Sequence, residues 1–371
     1  MNVRRAIFFT GGGARGSYQA GVLKAIAEIH PIHRVPVEIL SGVSSGSINA
    51  AFISAYADFQ EGVKKLLQVW SQINCGQVFE IGSLSLISSV CRTSVEIIMR
   101  NTPEDGHYLL NTGPLRHLIE SNIDFSSVNK NIDSGLVKAL IITALNYESS
   151  ETVSFFNTKE EMNTRTKFRY ATRRSLITSD HIMASTAIPL FFPPIKVDHS
   201  PYGDGAFRNN HPLRTAIAMG ADKILIIGVK QDYSYLPKRD NLKDGVSFGK
   251  IISMVFNSIF VDNIDIDIET LRYINNNISE LTIHEKQKIP FRHIDYTYIR
   301  PTGDIGQIAI DKVKLLPKLL RYLLGGFGSK QQSSDLMSYL MFEAEYCHEL
   351  INMGYRDTMN RKDEIIQFFS S

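Results

Sequence analysis

Cysteine is scarce in this chain: Cys75, Cys91 and Cys347 are the only three in 371 residues. They are odd in number and far apart, which excludes a disulfide framework and paired C-x-x-C metal clips and points to a reducing compartment. Net charge is nearly absent too, at +2. The densest basic stretch, "RYATRRS" at 169–175, is too short for a nucleic-acid footprint, so no nucleic-acid partner is expected. No apolar run approaches the ~20 residues that span a bilayer. The apolar start "MNVRRAIFF" is cut by a glycine triplet before it reaches the length of a signal-peptide core. A cytoplasmic protein is expected, peripheral at most to a membrane. Internal repeats and low-complexity tracts are absent as well.

What is present is enough apolar sequence, 43% against 21% charged, to bury a large core. Residues 3–9 read as a central strand ending in glycines. From Ser17 to Ile29, apolar residues recur at helical spacing. "VEIL" reads as a second strand, followed by "SGVSSGS" and a helix from Ile48 to about Ala57. Residues 76–112 lack periodicity and read as an irregular excursion over the active face. Strands are expected again at "LVKALIITALN", "TVSFF", "PPIKV" and "KILIIGV". Strands alternating with helices predict an α/β layered fold with a central, mostly parallel sheet. Beyond residue 235 the pattern is mainly helical. One apolar stripe runs through Val246, Phe248, Ile251, Ile252, Val255, Phe256, Ile259 and Phe260, and a second covers 334–355, with a late strand, "RHIDYTYIRP", between them. Two regions are expected, a catalytic one over 1–235 and a helical extension over 236–371 packed on it.

The first loop, Gly11-Gly12-Gly13-Ala14-Arg15-Gly16, fits G-x-G-x-x-G. A dinucleotide site also needs an acidic residue at the end of the second strand. The candidate, Glu38, lies at that strand's beginning, and no kinase H-R-D or D-F-G set follows. The strand end carries Gly42-Val43-Ser44-Ser45-Gly46 instead, a G-x-S-x-G elbow between strand and helix. Flanking glycines let neighbouring backbones pass, so Ser44 is displayed as a nucleophile, while Ser41, Ser45 and Ser47 suit turn and cap roles. The amides of Gly12, Gly13 and Ala14 then suit the oxyanion of a tetrahedral acyl intermediate. Arg15 reads either as a loop stabiliser or phosphate-attracting group, or as a solvated first-turn residue. Asp204, followed by Gly205 and Ala206 in a tight turn, is a candidate base. No cofactor is implied, and the scattered histidines, with His30 and His33 not at H-x-x-x-H spacing, offer no metal site.

Taken together, "GGGARG", "GVSSG", "ASTAIPLFFPP" at 184–194, and "DGA" followed by Asn210-His211-Pro212 resemble the patatin-like phospholipase family over about residues 4–230. The helical 335–355 segment is similar to C-terminal extensions of bacterial members. The resemblance implies a patatin fold and lipid acyl hydrolysis by a Ser-Asp dyad, with Ser44 as nucleophile, Asp204 as base and Gly11 to Gly16 as oxyanion loop. The implied partner is a lipid substrate at a membrane or micelle surface. Thr10 stands where the family often places Asp. Two rivals remain: a Ser-His-Asp triad drawing on His211, His284, His293 or His348, and a lipid-binding module without turnover.

Overall fold

Ala6, Ile7, Phe8 and Phe9 have no polar face, and in the computed structural model they are buried in the middle of the central sheet. The structure describes residues 3–81, 110–162, 166–167, 169–232, 248–260, 262–325 and 333–370. Strand β1 (Arg5–Phe9) is followed by β2 (Ile39–Val43), a two-stranded ribbon of β3 (Glu80–Ile81) and β4 (Leu110–Asn111), β5 (Ala139–Asn146), β6 (Thr152–Thr158), β7 (Thr166–Lys167), β8 (Tyr170–Arg174), β9 (Ile195–Val197), β10 (Ser200–Asp204), β11 (Lys223–Ile227) and β12 (Asp295–Ile299). The main sheet runs β12-β11-β1-β2-β5-β6-β8-β7. The five strands from β12 to β5 are parallel, β5–β6 is antiparallel, and β10 pairs with both β5 and β9. The sheet is therefore mostly parallel in its centre, with helices on its faces. The late strand β12 extends it beside β11.

The helices that bear on the site are α1 (Gly16–Ile29), α2 (Ser45–Ser54), α3 (Phe59–Gln72), α4 (Ser179–Thr186), α5 (Phe248–Phe260), α6 (Asp262–Glu280), α7 (Ser334–Leu340) and α8 (Ala344–Met359). Asp58 caps α3, accepting the Glu61 N–H, and Phe59, Val63, Leu66 and Trp70 form its buried stripe. Thr178 and His181 form a capping box at the start of α4.

Three boundaries differ from the sequence pattern. β2 does not stop at Leu40 but continues through Ser41 and Gly42, because the ladder Phe8↔Ser41 and Phe9↔Gly42 outweighs their weak strand preference. The helix expected at Ile48 begins at Ser45 and ends at Ser54. The 334–355 stripe is two helices, broken at Met341–Glu343, where buried Phe342 turns onto Phe79 in an edge contact at 6.2 Å. The irregular excursion lies largely outside the described residues. Its described margins are a short helix, Cys75–Val78, and the β3–β4 ribbon. Cys91 and Val246 also lie outside them.

Candidate active site

Ser44 stands alone between β2 and α2 at φ 54°, ψ −132°. A non-glycine residue held in such a conformation costs on the order of 1–3 kcal/mol, and surrounding structure must enforce it. The elbow glycines make the turn sterically possible. A Cβ on Gly42 would lie 2.2 Å from the Gly46 carbonyl oxygen, and one on Gly46 would lie 2.3 Å from that of Phe9. Ser47 Oγ donates to the Ser44 carbonyl at 2.6 Å, consistent with a turn role.

Asp204 ends β10, and β5 brings it to Ser44. Consecutive residues of β5 pair with the two strands: Thr143 with Val43, next to Ser44, and Ala144 with Asp204. Gly205 lets the chain turn against β5, since a Cβ there would meet the Thr143 carbonyl oxygen at 2.1 Å. The Asp204 side chain is fully buried. Its Oδ1 accepts the Ala206 N–H at 2.9 Å, while Oδ2 is enclosed without a partner in hydrogen-bond geometry. Burial pushes the carboxyl up to about 7, and the nearby Ser44 hydroxyl and the Ala206 N–H pull it back only partly. Such a group takes and returns a proton near neutral pH, which an ordinary aspartate does poorly.

Gly11 is where the three motifs meet. A Cβ on it would lie 2.9 Å from Ser44 Cβ, 3.4 Å from the Val43 carbonyl oxygen and 3.5 Å from Ala206 Cβ. Gly12 leads into the 3-10 turn Gly13–Arg15, which opens α1 at Gly16. Amides at a helix start lack intrahelical acceptors, so this loop presents donors beside the serine. Gly13 has φ +56°, and a Cβ on it would stand 2.2 Å from the Tyr339 carbonyl oxygen.

Arg15 is neither solvated nor open to a phosphate. It is 3% exposed, with Nε donating to Ser338 Oγ at 2.7 Å, a guanidinium NH2 2.9 Å from Asp335 Oδ1, and its plane 4.0 Å from the Tyr339 ring centre. Buried charge survives here because it is paired and stacked.

Thr10 and several groups that the motifs did not single out hold the loop. Thr10 Oγ1 donates to the Ile227 carbonyl at 3.3 Å. Gln19 Nε2 donates to the Thr10 carbonyl at 2.8 Å, Asn49 Nδ2 to Gln19 Oε1 at 2.8 Å, and Trp70 Nε1 to Asn49 Oδ1 at 2.9 Å. This buried chain ties the loop to α1, α2 and α3. Its links join residues 9 to 30 positions apart, with members in ordinary helical patterns, so no local signal marks them.

The histidines of the triad alternative sit elsewhere. His211 pairs with Asp267 at 3.3 Å, His293 with Asp295 at 3.3 Å, and His348 Nε2 lies 3.2 Å from the Ser71 carbonyl, while exposed His284 belongs to the surface helix Ile283–Lys286. No histidine contributes to the pKa shift of Asp204.

The model of the patatin-like phospholipase family matches residues 7–217, a span that holds the glycine loop, the elbow and the base turn. The chain belongs to this family. Membership carries lipid acyl hydrolase chemistry in general terms. Among solved structures, the patatin-like protein is similar to VipD from Legionella pneumophila, with 12% identity over 97% of this chain and 67% of that one and a TM-score of 0.39. It is also similar to human GIVD cytosolic phospholipase A2, with 12% identity over 99% of this chain and a TM-score of 0.42. It spans 60% of that phospholipase's length. The ExoU–SpcU complex of Pseudomonas aeruginosa gives 13% identity over 90% of this chain and 68% of that one, with a TM-score of 0.28. No curated protein matches the chain. Among the described residues, no helix is long and apolar enough to cross a membrane.

Proposed function

We propose that this patatin-like protein is a serine lipid acyl hydrolase of phospholipase A or lysophospholipase type, working through a Ser44–Asp204 dyad. The observation that carries the proposal is a fully buried carboxyl, raised to about 7, directly beside a serine on a strained elbow. Ser44 Oγ attacks the ester carbonyl carbon as its proton passes to Asp204. The loop Gly11 to Gly16 receives the charge that develops on the carbonyl oxygen. Collapse expels the alcohol, which takes the proton back from Asp204. Water then attacks the acyl-serine by the same route, releasing the fatty acid and restoring Ser44.

α2 begins beside Ser44, and its Ile48 and Phe52 line an apolar crevice with Leu66, Trp70, Leu118 and Phe342; at about 30 Å³ it would have to widen to take an acyl chain. Ser44 itself is 2% exposed. α7 packs on the turn Gly13–Arg15, and α5 packs on both α7 and the turn after Asp204. Substrate must gain access to this enclosed serine, and contact with an aggregated lipid surface is the proposed occasion.

Mass-spectrometric analysis of products from mixed phospholipids, lysophospholipids and acylglycerols tests the reading. Fatty acid release should vanish in Ser44→Ala and Asp204→Asn and persist in His211→Ala. A folded histidine variant as inactive as Ser44→Ala would replace the dyad with a triad. Wild type that binds lipid but releases nothing would leave a binding module.

A further inference from the structure

The motif Ala184-Ser185-Thr186-Ala187-Ile188-Pro189 has no part in the dyad chemistry, yet it reaches both of its members. Ser185, at the end of α4, is fully buried. Its Oγ donates to the Thr143 carbonyl at 2.7 Å and accepts the Ser44 N–H at 3.0 Å. Two residues on, the Ala187 carbonyl accepts the Asp204 N–H at 2.8 Å. One short segment thus holds the backbone of nucleophile and base together.

The placement follows from the sheet. Val43 pairs with Thr143, but the next residue of β5, Ala144, pairs with Asp204 instead of Ser44. β10 takes over from β2 along that edge, and Ser44 leaves the ladder into its strained conformation. Its buried amide still needs an acceptor, because a buried donor left unsatisfied carries its full desolvation penalty. The Ser185 hydroxyl supplies it, standing between the carbonyl of one strand and the amide at the end of the other. A hydroxyl does this where a methyl cannot, since it accepts and donates at once.

We infer that Ser185 is a positioning residue that sets the Ser44 hydroxyl relative to Asp204. The inference rests on the proposed dyad function. It does not require Ser185 to touch substrate. Misplacing a nucleophile by about 1 Å costs up to about 100-fold in rate, so the effect belongs in turnover and not in substrate binding.

The test compares Ser185→Ala, Ser185→Thr and Thr186→Val, using a short-chain ester and a fluorophosphonate probe. Thr186 is the control: it is also buried, but its hydroxyl bonds within α4, to the Ile182 and Met183 carbonyls. Ser185→Ala should lower kcat about 10- to 100-fold with KM within about twofold, and slow probe labelling of Ser44 in parallel. Ser185→Thr, which restores the hydroxyl, should recover most of the turnover. Thr186→Val should keep wild-type kcat despite a lowered melting temperature. If Ser185→Ala does not fold, the near-isosteric Ser185→Cys, with its weak hydrogen bonding, is read in its place and should show the same kcat loss. Wild-type kcat in a folded Ser185→Ala or Ser185→Cys, or an equal loss in Thr186→Val, would overturn the inference and leave the dyad standing. A wild type that neither turns over ester nor takes the probe would overturn the dyad and this inference together.

Discussion

Arg15 and Asp335 form an ion pair at 2.9 Å across 320 residues of sequence, tying the loop beside Ser44 to the C-terminal helical region. Asp335 also accepts from Asn257 Nδ2 at 2.8 Å, so α5, α7 and the glycine loop share one carboxylate. Asp335→Ala should lower stability by roughly 2–4 kcal/mol, because it leaves a buried guanidinium short of its counter-charge. Ester hydrolysis should fall further than the loss of folded protein explains. Arg15→Lys should not rescue, since an ammonium cannot reproduce the fork to Ser338 and Asp335. Denaturant melts beside activity per folded molecule decide it; full activity in folded Asp335→Ala would sever the link.

If Asp204 is the base of the proposed dyad, activity and stability both depend on pH through it. Its carboxyl lies at about 7 in the native protein against 3.8 for the free group. Between these values the native state keeps a proton that the unfolded chain has lost. Stability contributed by this group is therefore fully present below about pH 4, declines as pH rises and is gone above about pH 7. A gap of about three units corresponds to roughly 4 kcal/mol. Asp204→Asn should be more stable than wild type at pH 8 by an amount of that order, with the gap closing toward pH 4. Wild-type kcat/KM should fall about tenfold per unit below pH 7 as the base is protonated. A flat profile between pH 5 and 8 would remove Asp204 from that role.

Gly13 is held by both conformation and contact, with φ +56° and the Tyr339 carbonyl oxygen 2.2 Å from where a Cβ would sit. Gly13→Ala should abolish hydrolysis and destabilise by well over 1 kcal/mol. Gly135 separates the two causes: its φ is +81° but a Cβ would meet nothing within 4 Å. Gly135→Ala should cost about 1 kcal/mol and leave turnover unchanged. Calorimetry with ester assays compares the pair, and equal effects would mean that the Tyr339 contact is irrelevant.

The stripe on α5 has two faces. Phe256 is buried against Phe191 and Tyr339, with ring centres 5.8 and 6.0 Å away. Ile251, Met254 and Val255 are 48%, 59% and 44% exposed. Phe256→Asp should cost roughly 3–5 kcal/mol. Met254→Asp and Val255→Asp should change stability by no more than about 0.5 kcal/mol. Vesicle sedimentation should show both weakening lipid binding. Unchanged sedimentation would mean that this face does not meet lipid.

The candidate site motifs and their order along the chain are legible without the structure. Gly42-x-Ser44-x-Gly46 between strand and helix, the glycine loop after β1 and Asp204 before Gly205 are local signals, because each depends on conformations that a few adjacent residues impose. The buried parallel strands were legible for the same reason: "KILII" and "ALIITALN" have no polar face to present. Tertiary structure decided what depends on contacts between distant residues. Strand register set Val43 and Asp204 against consecutive residues of β5, and no local pattern encodes which residues of two strands face each other. Burial decided that Asp204 sits near 7, and that Arg15, which reads locally as a first-turn cation, is enclosed by Ser338, Tyr339 and Asp335. Whether α5 faces core or solvent was undecidable from its apolar residues, since both faces carry them. Only the position of Phe191 and Tyr339 fixed Phe256 as the inner one, because burial is a property of what packs against a residue and not of the residue itself.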